Sequence, residues 1–128
     1  MKRSLSQNSG TTLVEFGLTA PLFIALLVGV IEIGLALWTQ FGLQYGSEAA
    51  ARCASIDTTN CGTSQQVATY AANHAFGLSL PASVFSLSAA SCGNQVSANY
   101  TYGFFTLFFG TPTIALKARS CFPAAASG

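Results

Sequence analysis

The sequence predicts an α+β protein in which one long transmembrane helix at the N-terminus continues into a small disulfide-stapled domain with one helix and a roughly three-stranded antiparallel sheet. Three observations predict this fold. Residues 16–38 form a largely apolar run with a single charged residue. All four cysteines lie after that run. Beyond residue 81 the hydrophobic pattern changes from the helical period to alternation, which is typical of strands.

The chain is predicted to divide into three parts: a leader over residues 1–10, an N-terminal helix over residues 11–55 and a small domain over residues 56–128. The leader carries Lys2 and Arg3 followed by polar residues, a composition that favours disorder. The length that remains after the helix suffices for one small domain with a thin core.

The apolar run, residues 16–38, is predicted to span a membrane. Thirteen of its residues are Leu, Ile, Val or Phe. Together they favour insertion by about 4–8 kcal/mol, whereas Glu32 opposes it by about 3 kcal/mol. A helix of this length extends about 35 Å, enough to cross the hydrocarbon core of a bilayer. We therefore expect the run to insert despite its carboxyl group.

Glu32 is the candidate functional group within the span, because ionisable groups inside membranes are rare and usually have a role. Contact with a partner helix is the favoured interpretation, since the small residues Gly29, Gly34 and Ala36 permit close approach. The alternative is a carboxyl group that is protonated or reached by water near the outer edge of the membrane.

The distribution of charge predicts the orientation. Lys2 and Arg3 precede the span, and the first basic residue after it is Arg52. By the positive-inside rule, the N-terminus stays in the cytoplasm and the C-terminal domain is exported. Only 7% of the residues are charged and the net charge is +1, which excludes a basic face for nucleic acid.

The four cysteines predict two disulfides, because an even number of cysteines in a small exported domain is typical of a disulfide framework. Three pairings are possible. We favour Cys53 with Cys61, which flank a short polar loop, and Cys92 with Cys121, which bracket the predicted sheet. A metal site is disfavoured, since the sequence has no C-x-x-C spacing and one histidine.

Beyond the span the N-terminal helix becomes amphipathic. One apolar stripe recurs at helical spacing and comprises Trp38, Phe41, Tyr45 and Ala49. We expect this stripe to pack in the core of the exported domain, although Trp38 and Tyr45 are also suited to anchoring at the outer membrane interface. Gly42 and Gly46 form a G-x-x-x-G spacing, which is typical of helices that pack closely in membranes. Here it is weak evidence for such packing, because it lies past the membrane core.

Turn and period signals predict the remaining elements. Thr63 and Gln66 form a capping box, which begins a second helix whose apolar face reaches Leu78 and includes His74. No acid or nucleophile pattern surrounds His74, so we expect a core or interface residue. Three strands are predicted over residues 84–89, 96–104 and 113–120. The aromatic connection at residues 104–110 is expected to fold over the core, with an exposed contact to another subunit or the membrane as the alternative.

The junction between leader and helix resembles a prepilin-type cleavage site. Residues 10–16 read Gly-Thr-Thr-Leu-Val-Glu-Phe, between a basic leader and an apolar helix. Together with Pro21, Gly29, Glu32 and Gly34, they resemble the TadE-like minor pilins, or pseudopilins, of the Tad (Flp) pilus system. The resemblance extends over residues 9–54.

The resemblance implies that a membrane-embedded prepilin peptidase cuts between Gly10 and Thr11 on the cytoplasmic side, so that Glu15 becomes the fifth residue of the mature chain. It also implies a bacterial inner-membrane protein with a periplasmic domain, whose partners are other pilin or pseudopilin subunits and the pilus assembly platform. Glycine lets a protease approach an extended strand closely. Glu15 at the membrane edge is suited to pairing with a freed α-amino group. The alternative is that its carboxylate interacts only with the positive end of the helix dipole near the start of the helix.

The sequence predicts a structural protein, with no catalytic residue, no cofactor and no metal. One histidine and the absence of phosphate-binding motifs give no support to catalysis. Pairing through the helix is assigned to Glu15, Phe16, Gly29, Glu32 and Gly34. An alternative is an unprocessed single-pass envelope protein whose domain binds a partner or a small ligand. A more remote alternative is a secreted domain released by a cut near residue 36.

Overall fold

A computed structural model of the chain describes residues 8–106 and 109–125. For residues 8 and 9 it describes the backbone alone. The predictions for the basic residues Lys2 and Arg3 lie outside the described residues. The same holds for the centre of the aromatic connection at residues 107–108.

The fold class predicted from the sequence is confirmed. Helix α1 is Asn8–Ile56 and helix α2 is Ser64–Asn73. They are followed by a short 3₁₀ helix at Ala82–Val84 and by strands β1 Phe85–Ala90, β2 Gly93–Gly103 and β3 Thr113–Phe122. The chain forms two compact units, Met1–Gly34 and Leu35–Gly128, which we call the N-terminal unit and the C-terminal unit. The first contains the beginning of α1, and the second contains the rest of α1 with every other element described.

The N-terminal unit is a helix with apolar side chains on its surface. Phe16, Leu18 and Leu22 are each more than two-thirds exposed. The most apolar window of α1 has a mean hydropathy of 2.4, and only 6% of it is buried. The core helix of a soluble protein would be mostly buried, and α1 is by length and composition able to cross a membrane. Pro21 lies inside the helix.

The sheet of the C-terminal unit is antiparallel with the strand order β1-β2-β3. Ala98 of β2 pairs with Phe85 of β1 and with Ala118 of β3, and all three side chains are buried. Strand β2 begins at Gly93, three residues before its predicted start. A two-residue turn precedes Gly93, whose φ of 125° is open to glycine and rarely to other residues. The alternation predicted for β2 is present: Val96 and Ala98 are buried, and the residues between and after them are more exposed.

The core lies between the inner face of this sheet and the two helices. Its buried residues are Leu43, Ala50 and Ala51 from α1, Val67, Ala68 and Ala71 from α2, Cys61 and Ala75 from the connections, and Phe85, Val96, Ala98 and Ala118 from the sheet. Small side chains dominate the helical part of this list. The helices therefore approach each other and the sheet closely, and a thin core suffices to hold the unit together.

The buried face of α1 is not the stripe predicted from its aromatic residues. Trp38 is 53% exposed and Phe41 is 68% exposed, so both lie outside the core. The buried positions carry small residues instead, among them Gly42 and Gly46. A Cβ atom added at Gly46 would lie 2.7 Å from the carbonyl oxygen of Ala71. Only a small side chain fits where the two helices touch, and the large aromatic rings consequently face outward.

Helix α2 begins as predicted and ends early. The capping box is present: the Thr63 Oγ1 accepts from the Gln66 backbone N–H at 3.3 Å, and the Gln66 Oε1 accepts from the Thr63 backbone N–H at 3.1 Å. The helix ends at Asn73, and the φ angles of 51° and 72° at Phe76 and Gly77, which a right-handed helix excludes, prevent it from reaching Leu78 as predicted. His74, the C-cap residue, is exposed, and the prediction that it lies on the apolar face is wrong.

Candidate functional site

The predicted cleavage junction lies in the first turns of α1. The helix begins at Asn8, so the backbone on both sides of the Gly10–Thr11 bond is helical. A Cβ atom added at Gly10 would meet no atom of the described residues within 4 Å. The first turn is the easiest part of a helix to unwind, because its N–H groups have no partner within the helix. A protease that needs an extended strand would thus have to open only this turn.

Glu15 follows the junction by one turn. Residues 11 and 15 are four apart and share one face of α1, and the side chain of a helical residue leans toward the N-terminus. The Glu15 carboxylate is therefore on the side of the helix where a cut after Gly10 would create an α-amino group. Its backbone carbonyl accepts a hydrogen bond from the Thr19 hydroxyl at 2.9 Å. Glu15 is exposed, and the next residue, Phe16, is 68% exposed on a neighbouring face of the helix.

The span residues assigned to helix pairing do not form one cluster. Gly29 and Glu32 are three residues apart and lie on the same face of α1, whereas Gly34 is two residues beyond Glu32 and lies on the opposite side. Cβ atoms added at either glycine would meet nothing within 4 Å among residues 8–106 and 109–125. Glu32 is partly exposed and lies about 25 Å along the helix from Glu15. The structure thus separates a junction site from a span site.

The predicted disulfide pairing is confirmed. Cys53 is bonded to Cys61 with a Cα–Cα distance of 5.8 Å, and Cys92 is bonded to Cys121 with a Cα–Cα distance of 6.2 Å. The first bond ties the end of α1 to the loop that precedes α2. The second ties the β1–β2 turn to the end of β3. Both cross-links lie in the C-terminal unit, at the end of the sheet where β3 finishes.

Asp57 organises the loop closed by the first disulfide. One carboxylate oxygen accepts from the backbone N–H groups of Thr59 and Asn60 at 3.0 and 3.1 Å, and the other accepts from the Asn60 Nδ2 at 2.6 Å. The hydrogen bond from the Asn60 side chain is the main reason that the pKa of Asp57 lies below its ordinary value. The loop is therefore a preformed turn, as its composition predicted.

An open groove of about 970 Å³ runs between α2 and the neighbouring part of α1. Glu48 and Arg52 line it from α1, and Tyr70 and His74 line it from α2 and its end. The His74 Nδ1 donates to the Tyr70 carbonyl at 2.8 Å, and the two rings stack with centroids 4.0 Å apart. Within residues 8–106 and 109–125, no three His, Cys, Asp or Glu side chains are grouped so that they would hold a metal ion.

Sequence analysis missed this groove. The residues that line it are scattered from residue 45 to residue 74 and belong to no recognisable motif. The one local signal was the pair Glu48 and Arg52, which are four residues apart on one helical face. Such a pair is common on solvated helices, so it gave no reason to expect a binding site.

These features define a class of protein: one N-terminal helix that is able to cross a membrane, joined to a small disulfide-bonded α+β domain. Residues 10–52 match the model of a family described as TadE-like protein. The resemblance found in the junction and helix is thus confirmed for this segment, and it supports a protein associated with Tad pilus systems. The match covers less than half of the chain and ends before the first cysteine. The chain has no significant match among curated proteins or solved structures.

Proposed function

We propose that the protein is a TadE-like minor pilin or pseudopilin, a structural component in the assembly of a Tad-type pilus. A prepilin peptidase removes the leader between Gly10 and Thr11, and the mature chain packs through α1 against other pilin or pseudopilin subunits and the assembly platform. The single observation that carries this proposal is the family match over residues 10–52, which includes both the junction and the helix.

The proposed role is one of assembly, not catalysis. After cleavage, the new α-amino group of residue 11 lies on the same helical face as Glu15 of its own chain. The Glu15 carboxylate pairs with this group or with the α-amino group of a neighbouring subunit. A charge pair in this partly desolvated setting is stronger than it would be in water. The second contact is the face of α1 that carries Gly29 and Glu32, where the missing glycine side chain lets a neighbouring helix approach.

The proposed location is the bacterial inner membrane, with the N-terminus in the cytoplasm and the C-terminal unit in the periplasm. Two kinds of observation support this orientation. Lys2 and Arg3 precede the apolar run, which favours a cytoplasmic N-terminus. All four cysteines form disulfides in the C-terminal unit, and such bonds persist in oxidising compartments such as the periplasm.

A second candidate function is that of an unprocessed envelope protein whose exported domain binds a small ligand. The observation that favours it is the open groove between α2 and α1, with Glu48 and Arg52 on one side and His74 on the other. A groove of about 970 Å³ is within the usual range of ligand sites. Cleavage of the leader distinguishes the two candidates.

The experiment is N-terminal sequencing and intact mass of the protein from membranes of cells with and without the prepilin peptidase. A chain that begins at Thr11 only when the peptidase is present would support the pilin proposal. A leader retained in both strains would favour the envelope protein, and a chain that begins beyond residue 36 would indicate a secreted domain.

A matched pair of variants sharpens this experiment. Gly10→Val places a branched side chain at the proposed scissile bond, and Gly17→Val places the same side chain two turns further along α1. In the part of the chain that the structure describes, nothing lies within 4 Å of a Cβ atom added at either glycine. We expect Gly10→Val to keep its leader and Gly17→Val to be processed. Equal processing of the two would contradict the assigned cleavage site.

A further inference from the structure

Three exposed aromatic rings form a patch at the beginning of the C-terminal unit. The Phe76 ring stacks on Tyr45 with centroids 4.6 Å apart and lies 5.7 Å from Trp38. The three side chains are 48–53% exposed. Phe76 is held with φ at 51°, a conformation that an aromatic residue rarely adopts. The fold therefore places a large apolar ring outward, beside two others, at a position where its backbone is strained.

The patch, comprising Trp38, Tyr45 and Phe76, lies where the chain leaves the proposed span. Trp38 is the last residue of the apolar run and is near the first residue of the C-terminal unit. Tyr45 is two helical turns further on, about 10 Å along the axis. Trp and Tyr collect at the headgroup level of membranes, and interfacial segments bury their apolar faces about 5–10 Å into that layer. The length of the patch along the helix axis, about 10 Å, is therefore similar to the depth to which such segments enter the headgroup layer of a membrane.

The direction of β3 brings a second apolar surface to the same end of the unit. The Gln40 Nε2 donates to the Lys117 carbonyl at 2.8 Å, and the Gln44 Nε2 donates to the Arg119 carbonyl at 3.4 Å. Strand β3 thus runs alongside α1 in the same direction. Its first residue, Thr113, lies about 13 Å before Lys117 along the strand, toward the end of the unit at which residue 35 lies. Next to this end of the sheet, Phe105 is 62% exposed and Ile114 is 42% exposed.

The opposite end of the unit is cross-linked and combines polar contacts with two exposed apolar side chains, those of Ile56 and Phe122. There the Asn94 Nδ2 donates to the Ser55 hydroxyl at 3.1 Å. Glu48 lies three residues beyond Tyr45 on α1, and Asp57 follows the end of α1, whereas the exposed Lys117 is level with Gln40. The end that carries the patch is therefore apolar with a basic side chain nearby, a combination that suits anionic lipid headgroups.

We propose that this end of the C-terminal unit is seated in the headgroup layer of the leaflet from which α1 emerges, with Phe76 inserted beside Trp38 and Phe105 inserted next to the end of the sheet. The domain then contacts the membrane through two separate segments in addition to its tether. The inference rests on α1 as a membrane span, which is part of the proposed function, and not on cleavage of the leader or on assembly of a pilus.

The test uses the full chain reconstituted in vesicles of phosphatidylcholine and phosphatidylglycerol. Trp38 is the only tryptophan, so Trp38→Phe gives a background in which Phe76→Trp or Phe105→Trp introduces a single fluorophore. Phosphatidylcholine brominated near the top of its acyl chains quenches tryptophan only where the two are in contact. The control is Ile56→Trp in the same background, at a site 64% exposed and about 27 Å along the helix from residue 38.

We expect the fluorophores at positions 76 and 105 to lose most of their emission in brominated vesicles and the one at position 56 to keep it. Unquenched emission at both 76 and 105 would overturn the proposal and indicate a protein partner for the patch. Quenching at all three positions would overturn it as well, because the unit would then contact lipid at both ends. A chain that fails to enter vesicles would refute the span itself, whereas retention of the leader would leave this result unaffected.

Discussion

Gly46 of α1 lies against Ala71 of α2, so closely that a methyl group at position 46 would come within 2.7 Å of the Ala71 carbonyl oxygen. The obstacle is backbone and not a flexible side chain, so relief requires the two helices to move apart. The glycine therefore sets the distance between α1 and α2. This contact explains why the face of α1 toward the core is lined with small residues and its aromatic face points outward.

Gly46→Ala is expected to destabilise the C-terminal unit. Overpacking costs about 1–3 kcal/mol, whereas the better helix propensity of alanine returns about 1 kcal/mol, so we expect a net loss of up to about 2 kcal/mol. Urea unfolding of the full chain in detergent, followed by near-ultraviolet circular dichroism, measures this loss. Gly103→Ala is the control, since the nearest atom of the described residues to its Cβ would be the Thr113 Cγ2, at 4.0 Å. Equal unfolding midpoints for the two variants would contradict the assigned contact.

Two buried serines of α1 are expected to respond to alanine in opposite directions. The Ser47 hydroxyl is buried with no hydrogen-bond partner in the part of the chain that the structure describes. The Ser55 hydroxyl lies 3.1 Å from the Ala51 carbonyl and accepts from the Asn94 Nδ2 at 3.1 Å. A buried unsatisfied polar group costs about 1–3 kcal/mol. Ser47→Ala should therefore raise the free energy of unfolding by about 1 kcal/mol, and Ser55→Ala should lower it by about 1–2 kcal/mol.

The same urea titration measures both serine variants, and each serves as the control of the other. Both variants replace a serine by an alanine in α1. The change in helix propensity is therefore the same in both, and it cancels when their stabilities are compared. A loss of stability in Ser47→Ala as large as that in Ser55→Ala would mean that the Ser47 hydroxyl is satisfied in the native protein.

The two disulfides are expected to contribute unequally to stability. They join residues with sequence separations of 8 and 29. In the chain-entropy account, closing loops of these sizes stabilises the fold by about 2.6 and 3.6 kcal/mol. Cys92→Ala with Cys121→Ala should therefore lower the unfolding midpoint more than Cys53→Ala with Cys61→Ala. Alanine is preferred to serine because Cys61 is 2% exposed, and a hydroxyl there would be buried. A reversed order would show that native packing outweighs loop length.

The elements predicted correctly from the sequence are those with a local cause. The capping box of Thr63 and Gln66 begins α2 because the two side chains satisfy each other's backbone groups within one turn. The strands follow from alternation, and the disulfides follow from the short loop and the sheet that they close. Each of these signals is contained in a few neighbouring residues, so no knowledge of the tertiary contacts was needed to recognise it.

The features that sequence analysis missed depend on contacts between distant residues. The buried face of α1 is decided by the approach of α2, which Gly46 permits and which the hydropathy of α1 does not reveal. His74, the C-cap residue of α2, is exposed, and Phe76 beyond it has a left-handed backbone conformation that the residue type rarely indicates. In the candidate site, the sequence predicts roles for Glu15 and Glu32, and the helix shows that, of the two glycines assigned to pairing, Gly29 shares a face with Glu32 and Gly34 does not.

The Asp57 turn predicts a loss of stability in acid. The pKa of Asp57 is lowered in the folded state, first by the Asn60 side chain. A depressed pKa contributes stability above the unfolded value, near 3.8, and this contribution disappears as the pH falls through the folded value. The difference in unfolding midpoint between the wild type and Asp57→Ala should therefore be larger at pH 7 than well below pH 3.8. Asn60→Ala should reduce that difference, and a difference independent of pH would contradict this account.

Glu15→Gln is expected to separate cleavage from assembly. The glutamine variant keeps the shape of the side chain and lies beyond the proposed scissile bond, so the peptidase should still release a chain that begins at Thr11. It removes the carboxylate that would pair with the new α-amino group on the same helical face. Hydrogen bonds to charged groups contribute about 1.5–3 kcal/mol, so incorporation into sheared pili should fall about tenfold or more. Immunoblots of the sheared and membrane fractions measure the ratio, with Glu48→Gln as a control on the exported domain. A processed Glu15→Gln protein that enters pili at the wild-type level would show that the carboxylate has no part in assembly.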